Sequence, residues 1–337
     1  MMALFPIRHP RLGLSIDART ITLAEVRRDW RRGWTSLALR RSSERELPPG
    51  LIRPSATEPN VSDVSALAAE LRALRGSRRT APGSVSAALS LPDLCARVGL
   101  LDFEHVPEKQ AERDALVRWR FQKEFNTSLQ DRRFAYRIFR VEEGQNGRAN
   151  GADVIRARVL AVAIRGEIID QYEQACEQAG LVPVNVGLGG LRLFDLYRHT
   201  LSPVDELFFL HLGESGFSFF ALRHGCPAFL RVKPLRNGTF AATTSSSTSS
   251  SLSNEVLATL QFYTDLHPRP PQGSSGTSDP LRPLYIVGNH ELPASAAESL
   301  GITISSLSAD GLPYRKSRAV GRLSFAGLPA LAGVIEM

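Results

Sequence analysis

Two strand–turn–strand units, one near the start of each half of the chain, restrict the possible folds more than any other feature of the sequence. In residues 12–26, apolar residues alternate on both sides of a polar turn at 17–20, which is typical of a β-hairpin. Residues 207–222 repeat this pattern around a turn at 213–216. Further strands and a helix follow each unit. This weak internal duplication predicts two similar α/β lobes on either side of a cleft.

The segments that follow the first hairpin are predicted from their periodicity. A third strand is expected at 34–39, and residues 42–61, with four prolines and no periodicity, are expected to form a connector. Ser62 is expected to cap a helix that ends at Gly76.

A charged segment interrupts the first half of the chain. It is predicted to hold a helix at 108–125 and a strand at 134–141. In the second half, residues 243–253 are almost entirely Ser and Thr, so we predict a flexible linker there and a helix that begins near Asn254. The predicted division is a first lobe at 1–104, an inserted subdomain at 105–153, a return to the first lobe at 154–200 and a second lobe at 201–337.

Composition excludes several classes of protein. No run approaches the ~18 consecutive apolar residues of a membrane-spanning helix, and residues 1–11 lack the apolar core of a signal peptide. The 3 cysteines are too few and too scattered for a disulfide framework. The net charge of +7 comes from dispersed arginines, so we expect no nucleic-acid binding. No group of histidines and carboxylates has metal-ligand spacing, so we expect no bound metal.

Several segments, in order along most of the chain, resemble the PilM family. Residues 13–26, GLSIDARTITLAEV, are similar to that family's first phosphate motif, Gly-Ile-Asp-Ile-Gly followed by small residues and Val-Glu-Leu. Residues 160–185 are similar to its A-P-K…A-G-L-x-P stretch, 254–263 to its E-I-x-R-S-L-x-Y-Y helix, and 328–334 to its closing P-A-L-G-L-A. The family comprises actin-like, FtsA-related cytoplasmic proteins of type IV pilus assembly. The resemblance therefore implies a two-lobed actin-like α/β fold with mixed sheets, an inserted small subdomain and a reduced subdomain in the second lobe.

The nucleotide motifs of that family are degenerate in this chain. Ala18 replaces the glycine that follows the first Asp, and His211 stands where the second hairpin should carry an Asp. The adenosine motif, Gly-Gly-Gly in relatives, reads Gly288-Asn289-His290. We therefore expect no catalytic residues and no cofactor, with ATP and Mg²⁺ as the alternative. The residues of the vestigial nucleotide site would be Gly13, Asp17, Arg19, Thr20, His211, Gly213, Glu214, Ser215, Gly216, Gly288 and Asn289.

Three polar residues of these turns have alternative interpretations. Asp17 could position Mg²⁺ or water, although an inherited turn residue is the favoured interpretation. Glu214 could replace the missing Asp, although a solvent-exposed turn residue is favoured. Because Asp17 and His211 end equivalent strands, we expect them to face each other across the cleft and to form a charge-assisted hydrogen bond if they are close.

The resemblance also implies a partner. PilM-type proteins bind the short cytoplasmic tail of a bitopic inner-membrane protein of the PilN type, and we expect a groove beside the inserted subdomain to capture such a tail. The predicted contact residues are Trp119, Phe121, Phe134 and Tyr136, with arginines of the subdomain facing an anionic membrane surface. The expected location is the cytoplasm, peripheral to the inner membrane. The sequence does not decide whether the protein forms a homo-oligomer.

The sequence is also compatible with two other functions. One is an ATP-binding actin-like ATPase in which the altered residues of the nucleotide motifs still suffice for ATP hydrolysis. The other is the cytoplasmic domain of a type II secretion protein, which is disfavoured because such proteins usually continue into a membrane helix that we do not find in this sequence.

Overall fold

The structure, a computed structural model, describes residues 10–28, 37–76, 84–140, 157–198, 201, 204–235, 246–267, 281–288, 300–308, 314–316 and 324–335. The strands in these ranges are β1 (Leu12–Ile16), β2 (Thr20–Arg28), β3 (Leu37–Glu46), β4 (Val85–Leu91), β5 (Arg97–Phe103), β6 (Arg132–Arg140), β7 (Ala157–Arg165), β8 (Leu181–Leu188), β9 (Glu206–Leu212), β10 (Gly216–Arg223), β11 (Cys226–Pro234), β12 (Arg282–Val287), β13 (Ile302–Ser306) and β14 (Tyr314–Lys316). The α-helices are α1 (Val64–Arg75), α2 (Gln110–Phe125), α3 (Gly166–Gln178), α4 (Gly189–Tyr197), α5 (Ser246–Leu266) and α6 (Leu328–Ile335).

The two larger sheets repeat one topology. The six-stranded sheet has the order β14-β3-β2-β1-β4-β8, and the five-stranded sheet has the order β11-β10-β9-β12-β13. In each sheet a meander of three antiparallel strands is followed by two parallel strands. Both predicted hairpins, β1–β2 and β9–β10, are present. The predicted duplication is therefore visible as a repeated strand order.

An apolar core behind the cleft joins the two lobes. Helices α4 and α6 contribute Phe194 and Leu331 to it, the first sheet contributes Val26, and the second sheet contributes Phe209 and Phe220. The Phe194 ring stacks on that of Phe220, with centroids 4.9 Å apart and an interplanar angle of 6°. Because this packing includes side chains from both sheets, it joins the lobes in addition to any contacts across the cleft.

The charged segment belongs to a small three-stranded sheet with the order β5-β7-β6. Helix α2 packs on this sheet through Val117 and Phe121, which are fully buried against Leu101 and Val159. Strands β5 and β7 flank the predicted insert at 105–153, so the structured unit extends beyond it on both sides. The sequence pattern of an apolar strand does not reveal which sheet the strand joins.

Two boundaries in the first lobe differ from the predictions. Strand β3 continues to Glu46, inside the predicted connector, because it pairs with the whole of β2 up to the Thr20–Glu46 pair. The cap of α1 is Asp63, whose carboxylate accepts from the N–H of Ala66 at 3.0 Å. The Ser62 hydroxyl instead donates to backbone carbonyl oxygens. Gly76 ends the helix as predicted.

The predicted linker at 243–253 is wrong over 246–253, because α5 begins at Ser246. Leu252 is 2% exposed and continues the buried face formed by Val256, Leu260 and Tyr263 on the second sheet. Packing of this face overrides the low helix propensity of Ser and Thr. Residues 243–245 lie outside the described residues.

Within the ranges that the structure describes, no helix has both the length and the apolar composition needed to cross a membrane.

Candidate functional site

The two hairpin turns meet at a cleft of about 300 Å³. Strands β1 and β2 place Asp17, Arg19 and Thr20 on one wall of it. The turn between β9 and β10 places Gly213 and Glu214 on the opposite wall. The structure thus brings together the central residues of the predicted nucleotide site.

The carboxylate of Glu214 crosses the cleft and binds the first turn. Its Oε2 accepts from the backbone N–H groups of Arg19 at 2.5 Å and Thr20 at 3.1 Å. Its Oε1 accepts from the Thr20 hydroxyl at 2.7 Å. Successive N–H groups that converge on one point form an anion site, and here the anion belongs to the protein itself. The favoured interpretation of Glu214 as a solvent-exposed turn residue is therefore wrong.

Asp17 makes the reciprocal contact. Its Oδ2 accepts from the N–H of Glu214 at 3.2 Å, while Oδ1 accepts from the N–H of Ala18 at 2.7 Å. Each turn therefore provides a carboxylate that accepts from the N–H of the other turn. In this arrangement Asp17 acts as a connector between the lobes.

Burial shifts the protonation of both acids. The pKa of Glu214 is raised to about 7, chiefly by desolvation and also by the charge of Asp17, while the bonds from Thr20 and Arg19 oppose the shift. Desolvation also raises the pKa of Asp17, while the N–H groups of Ala18 and Glu214 oppose this rise. The pair therefore holds a proton at a higher pH than isolated carboxylic acids do.

His211 has a different partner from the one predicted. Its Nδ1 lies 3.4 Å from Oδ2 of Asp93, a buried residue that follows β4. Asp93 also accepts from the N–H of Gly190, at the start of α4, at 2.8 Å and from the hydroxyl of Ser218. Asp93 thus bridges the lobes at a second point. Sequence reasoning missed it, although its position directly after the carboxyl end of a buried strand was a usable signal.

Asp17 and His211 nevertheless flank the same point of the cleft. A methyl group on Gly213 would lie 3.4 Å from Oδ2 of Asp17 and 3.7 Å from Cε1 of His211. Both residues also border a cavity of about 20 Å³. Since Asp93 lies within reach of the Nδ1 of His211, the predicted pairing of His211 with Asp17 is replaced by an Asp93–His211 pair.

Two glycines of the predicted site allow backbone segments to pack closely against each other. A Cβ atom on Gly13 would lie 1.8 Å from the carbonyl oxygen of Ala330, so Gly13 allows α6 to contact β1. A Cβ atom on Gly216 would lie 2.4 Å from the carbonyl oxygen of Lys233. Gly288 lines the cleft with φ of 152°.

The other predicted turn residues have separate positions. The carbonyl oxygen of Ser215 accepts from the N–H of Leu235 at 3.0 Å. Asn289 lies outside the described residues. Within the described ranges, no three His, Cys, Asp or Glu side chains are arranged to hold a metal ion.

A larger groove, of about 700 Å³, lies between the small sheet and the first lobe. Strand β6 forms one wall, and β8 with the start of α4 forms the other. Its apolar lining includes Val162 and Ile164 from β7 and Leu188, Leu191 and Phe194 from the first lobe. A groove of this size and composition is a general feature of ligand and peptide sites.

The four predicted partner contacts separate into three groups. Phe134 and Tyr136 border the groove. Trp119 is 56% exposed and does not line the groove; the Nζ of Lys123 lies 5.2 Å from the centroid of its ring. Phe121 is 0% exposed, and its ring centroid lies 5.2 Å from that of Phe134. Phe121 is therefore a core residue, and its prediction as a partner contact is wrong.

Comparison with known proteins identifies the fold. The chain is similar to the solved PilM-PilN type IV pilus biogenesis complex, with a TM-score of 0.70 and 18% identity over 98% of this chain and 99% of that chain. It also matches the cytoplasmic domain of EpsL, an inner-membrane component of the type II secretion system of Vibrio cholerae, with a TM-score of 0.45 and 8% identity over 97% of this chain and 94% of that chain. No protein-family model and no curated protein matches the sequence. The chain therefore has the mixed α/β, actin-like fold of the PilM-PilN structure, as the sequence predicts.

Proposed function

We propose that this protein is a cytoplasmic scaffold of type IV pilus assembly or a related secretion system, peripheral to the inner membrane. Its groove between β6 and β8 binds the cytoplasmic tail of a PilN-type inner-membrane protein. The observation that carries this proposal is the groove itself, an apolar channel between the edges of two sheets. The similarity to a structure of a PilM-PilN complex supports the choice of partner.

Both walls of the groove offer backbone groups to an extended peptide. Strand β6 is at one end of the order β5-β7-β6, and β8 is at one end of the six-stranded sheet. Within the part of the chain that the structure describes, no strand pairs with the outer side of either one. Edge strands present N–H and C=O groups that an added strand can pair with. A tail segment can therefore bind by extending either sheet.

The residues between the edges supply apolar contacts. Leu160, Val162 and Ile164 of β7 form part of the lining, and Ile169 of α3 and Val186 of β8 lie beside them. Alternate side chains of an extended peptide point in opposite directions, so one set would enter this lining while the other faces solvent. The groove thus fits a tail that alternates apolar and polar residues.

The first-lobe wall carries two carboxylates, Glu173 and Asp195, beside Arg192, and Asp195 is ion-paired with Arg137 of the opposite wall. Among the described residues, the carboxylate of Glu173 forms no hydrogen bond or ion pair, although it lines the apolar groove. Burial raises its pKa, and the nearby charge of Arg133 opposes this. A Lys or Arg of the bound tail would supply a countercharge, and tails next to a cytoplasmic membrane face are commonly basic.

The outer face of the small sheet and α2 suits a membrane surface. Trp119 and Lys123 pair on the exposed side of α2, and an aromatic ring beside a cation is favoured at the boundary between water and lipid. Arg118 stacks over the Phe134 ring at 5.0 Å from its centroid. Each such cation contributes about 1 kcal/mol of attraction to anionic lipid.

Nucleotide hydrolysis has no role in this function. Phosphoryl transfer depends on positioned charges around the phosphate and its Mg²⁺. At the corresponding turns, the N–H groups of Arg19 and Thr20 bind Glu214, and His211 lies against Asp93. These contacts favour a scaffold whose cleft is structural.

The experiment is a binding measurement with a groove variant. A synthetic peptide that copies the cytoplasmic tail of a PilN-type protein of the same genome is titrated with the full chain and followed by fluorescence anisotropy. Ala135→Arg places a long side chain on an exposed position that lines the groove, and it should weaken binding at least tenfold.

Ala115→Arg is the matched control. Ala115 is exposed on α2, in the same small unit, and does not line the groove, so this variant adds the same charge without obstruction. It should bind the peptide like the parent protein. Equal binding by the parent and by Ala135→Arg, or no binding by the parent, would contradict the proposal.

A further inference from the structure

The contact between Glu214 and the first hairpin turn is a complete anion site that is already occupied. Two backbone N–H groups, from Arg19 and Thr20, and the Thr20 hydroxyl all donate to one carboxylate, at 2.5, 3.1 and 2.7 Å. Two N–H groups and a hydroxyl in this arrangement would suit the oxygens of any small oxyanion equally well. The turn is therefore built to bind an anion, and the opposite lobe provides it.

The same contact fixes the second turn. Because the N–H of Glu214 donates to Asp17, the residue that enters the anion site is itself anchored to the wall that it binds. The turn behind it is closed by the bond from the N–H of Gly213 to the carbonyl oxygen of Gly216, at 2.9 Å. Glu214 is thus held by its backbone and its side chain at once.

The charge of the cleft disfavours a second anion while Glu214 is in place. Glu44 and Glu46 line the same cleft, together with Asp17 and Glu214. Against these four acids, the basic side chains that line the cleft are those of Arg19 and His211. An incoming oxyanion would have to displace a carboxylate and then lie among the remaining ones.

We propose that the carboxyl group of Glu214 is an internal substitute for a bound oxyanion: it fills the anion site of the first turn from the opposite lobe and so clasps the two turns together without a bound ligand. This inference goes beyond the proposed scaffold function and does not depend on the partner. It makes one chemical prediction, that removal of the carboxylate exposes a site for a tetrahedral oxyanion.

The first experiment measures that site directly. Glu214→Ala in the full chain is titrated with inorganic phosphate by isothermal titration calorimetry. We expect it to bind phosphate at least tenfold more tightly than the parent protein. Glu46→Gln is the matched control, because it removes a carboxylate that lines the same cleft but, among the described residues, forms no hydrogen bond with the backbone N–H of Arg19 or Thr20, although Glu46 is the cross-strand neighbour of Thr20. It should behave like the parent. Equal phosphate affinity of the parent and of Glu214→Ala would overturn the proposal.

The second experiment measures the clasp. Spin labels on Ser65→Cys in α1 and Gln261→Cys in α5, both exposed positions on different lobes, report the interlobe distance in a Cys226→Ser background. The other two cysteines are buried. We expect a narrow distance distribution for the parent, a broader and longer one for Glu214→Ala, and recovery of the narrow one with phosphate. An unchanged distribution in folded Glu214→Ala would overturn the proposal.

If Glu214→Ala does not fold, Thr20→Val tests the same idea. This variant removes one donor of the three and keeps the backbone N–H groups and the carboxylate. The distance distribution should broaden by a smaller amount in the same direction, and an unchanged distribution would again contradict the clasp.

Discussion

Asp17 and Glu214 exchange contacts across the cleft: the carboxylate of Asp17 accepts from the N–H of Glu214, while that of Glu214 accepts from the turn that follows Asp17. These two acids belong to different lobes and lie 197 positions apart in the chain. Their mutual burial links the stability of the protein to pH.

We expect the free energy of unfolding to fall as the pH rises from about 4.5 to about 7. Burial raises the pKa of Glu214 from 4.5 to about 7, so the folded protein binds the proton more tightly than the unfolded chain, and this stabilisation is lost as pH rises through that window. Glu214→Gln should flatten this part of the profile, measured by urea unfolding at several pH values.

Other ionisable groups face Glu214, so the measurement needs a control variant in the same cleft. They are Asp17 and Arg19 on the first turn, Glu44 and Glu46 on β3, and His211 on β9 with its partner Asp93. Glu46→Gln should keep the slope of the parent. A profile of Glu214→Gln that matches the parent over this window would show that Glu214 does not carry the effect.

Gly13→Ala should destabilise the protein by about 1–3 kcal/mol. The added methyl group would lie 1.8 Å from the carbonyl oxygen of Ala330, so α6 must move away from β1. Gly189→Ala is the control, because its methyl group would meet its nearest neighbour, the Cβ of Pro329, at an ordinary 3.5 Å. Urea unfolding of both variants checks this. If Gly13→Ala and Gly189→Ala were equally stable, the close contact of Gly13 with Ala330 would not limit the residue at this position.

Phe121→Ala and Trp119→Ala should separate a core role from a surface role. Phe121 is fully buried, so its removal should cost about 3–5 kcal/mol of unfolding free energy. Trp119 is 56% exposed, so its removal should leave stability nearly unchanged and weaken binding to anionic phospholipid vesicles in a sedimentation assay. Undiminished vesicle binding by Trp119→Ala would remove this residue from the proposed membrane face.

Glu173→Gln should weaken binding of a basic tail peptide about two- to fivefold at low salt, with the difference disappearing at high salt. The expected cause is the loss of a carboxylate that lines the groove. Glu177→Gln, on the same helix and outside the groove, is the control. Anisotropy titrations at two salt concentrations measure both variants, and equal losses would indicate a general charge effect.

Mg-ATP should not be hydrolysed above background. The N–H groups of the first turn bind Glu214, and His211 lies against Asp93. Phosphate release should therefore be the same for the parent and for Asp17→Ala. Turnover that Asp17→Ala abolishes would show that Asp17 still positions a metal ion or water.

The fold was largely predictable because its main signals are local. Alternation at Leu12, Leu14 and Ile16 identifies β1 as a strand, and the same pattern recurs in the second hairpin, although the structure buries both faces of β1. Helix α5 was placed too late because Ser and Thr are weak helix formers, and its start depends on packing around Leu252. That packing involves strands far away in the sequence.

The sequence predicted which residues form the site but not how their side chains are arranged. Asp17, Thr20 and Glu214 were all identified from the motifs, but the direction in which the Glu214 side chain points depends on how the lobes close. Asp93 was missed because its partners, Ser218 and His211, lie in the other half of the chain. The groove depends on two strand edges that meet only in the folded protein.

The position of α6 has a consequence for folding during synthesis. This helix lies against β1, and the carbonyl oxygen of its Pro329 accepts from the hydroxyl of Ser90 at 2.7 Å, 239 positions earlier in the chain. A ribosome that has already released β1 and β4 must therefore translate more than two hundred further residues before their helical cover exists. Throughout that interval the apolar side of the first sheet is exposed, and nascent chains with such surfaces are prone to aggregate or to engage chaperones.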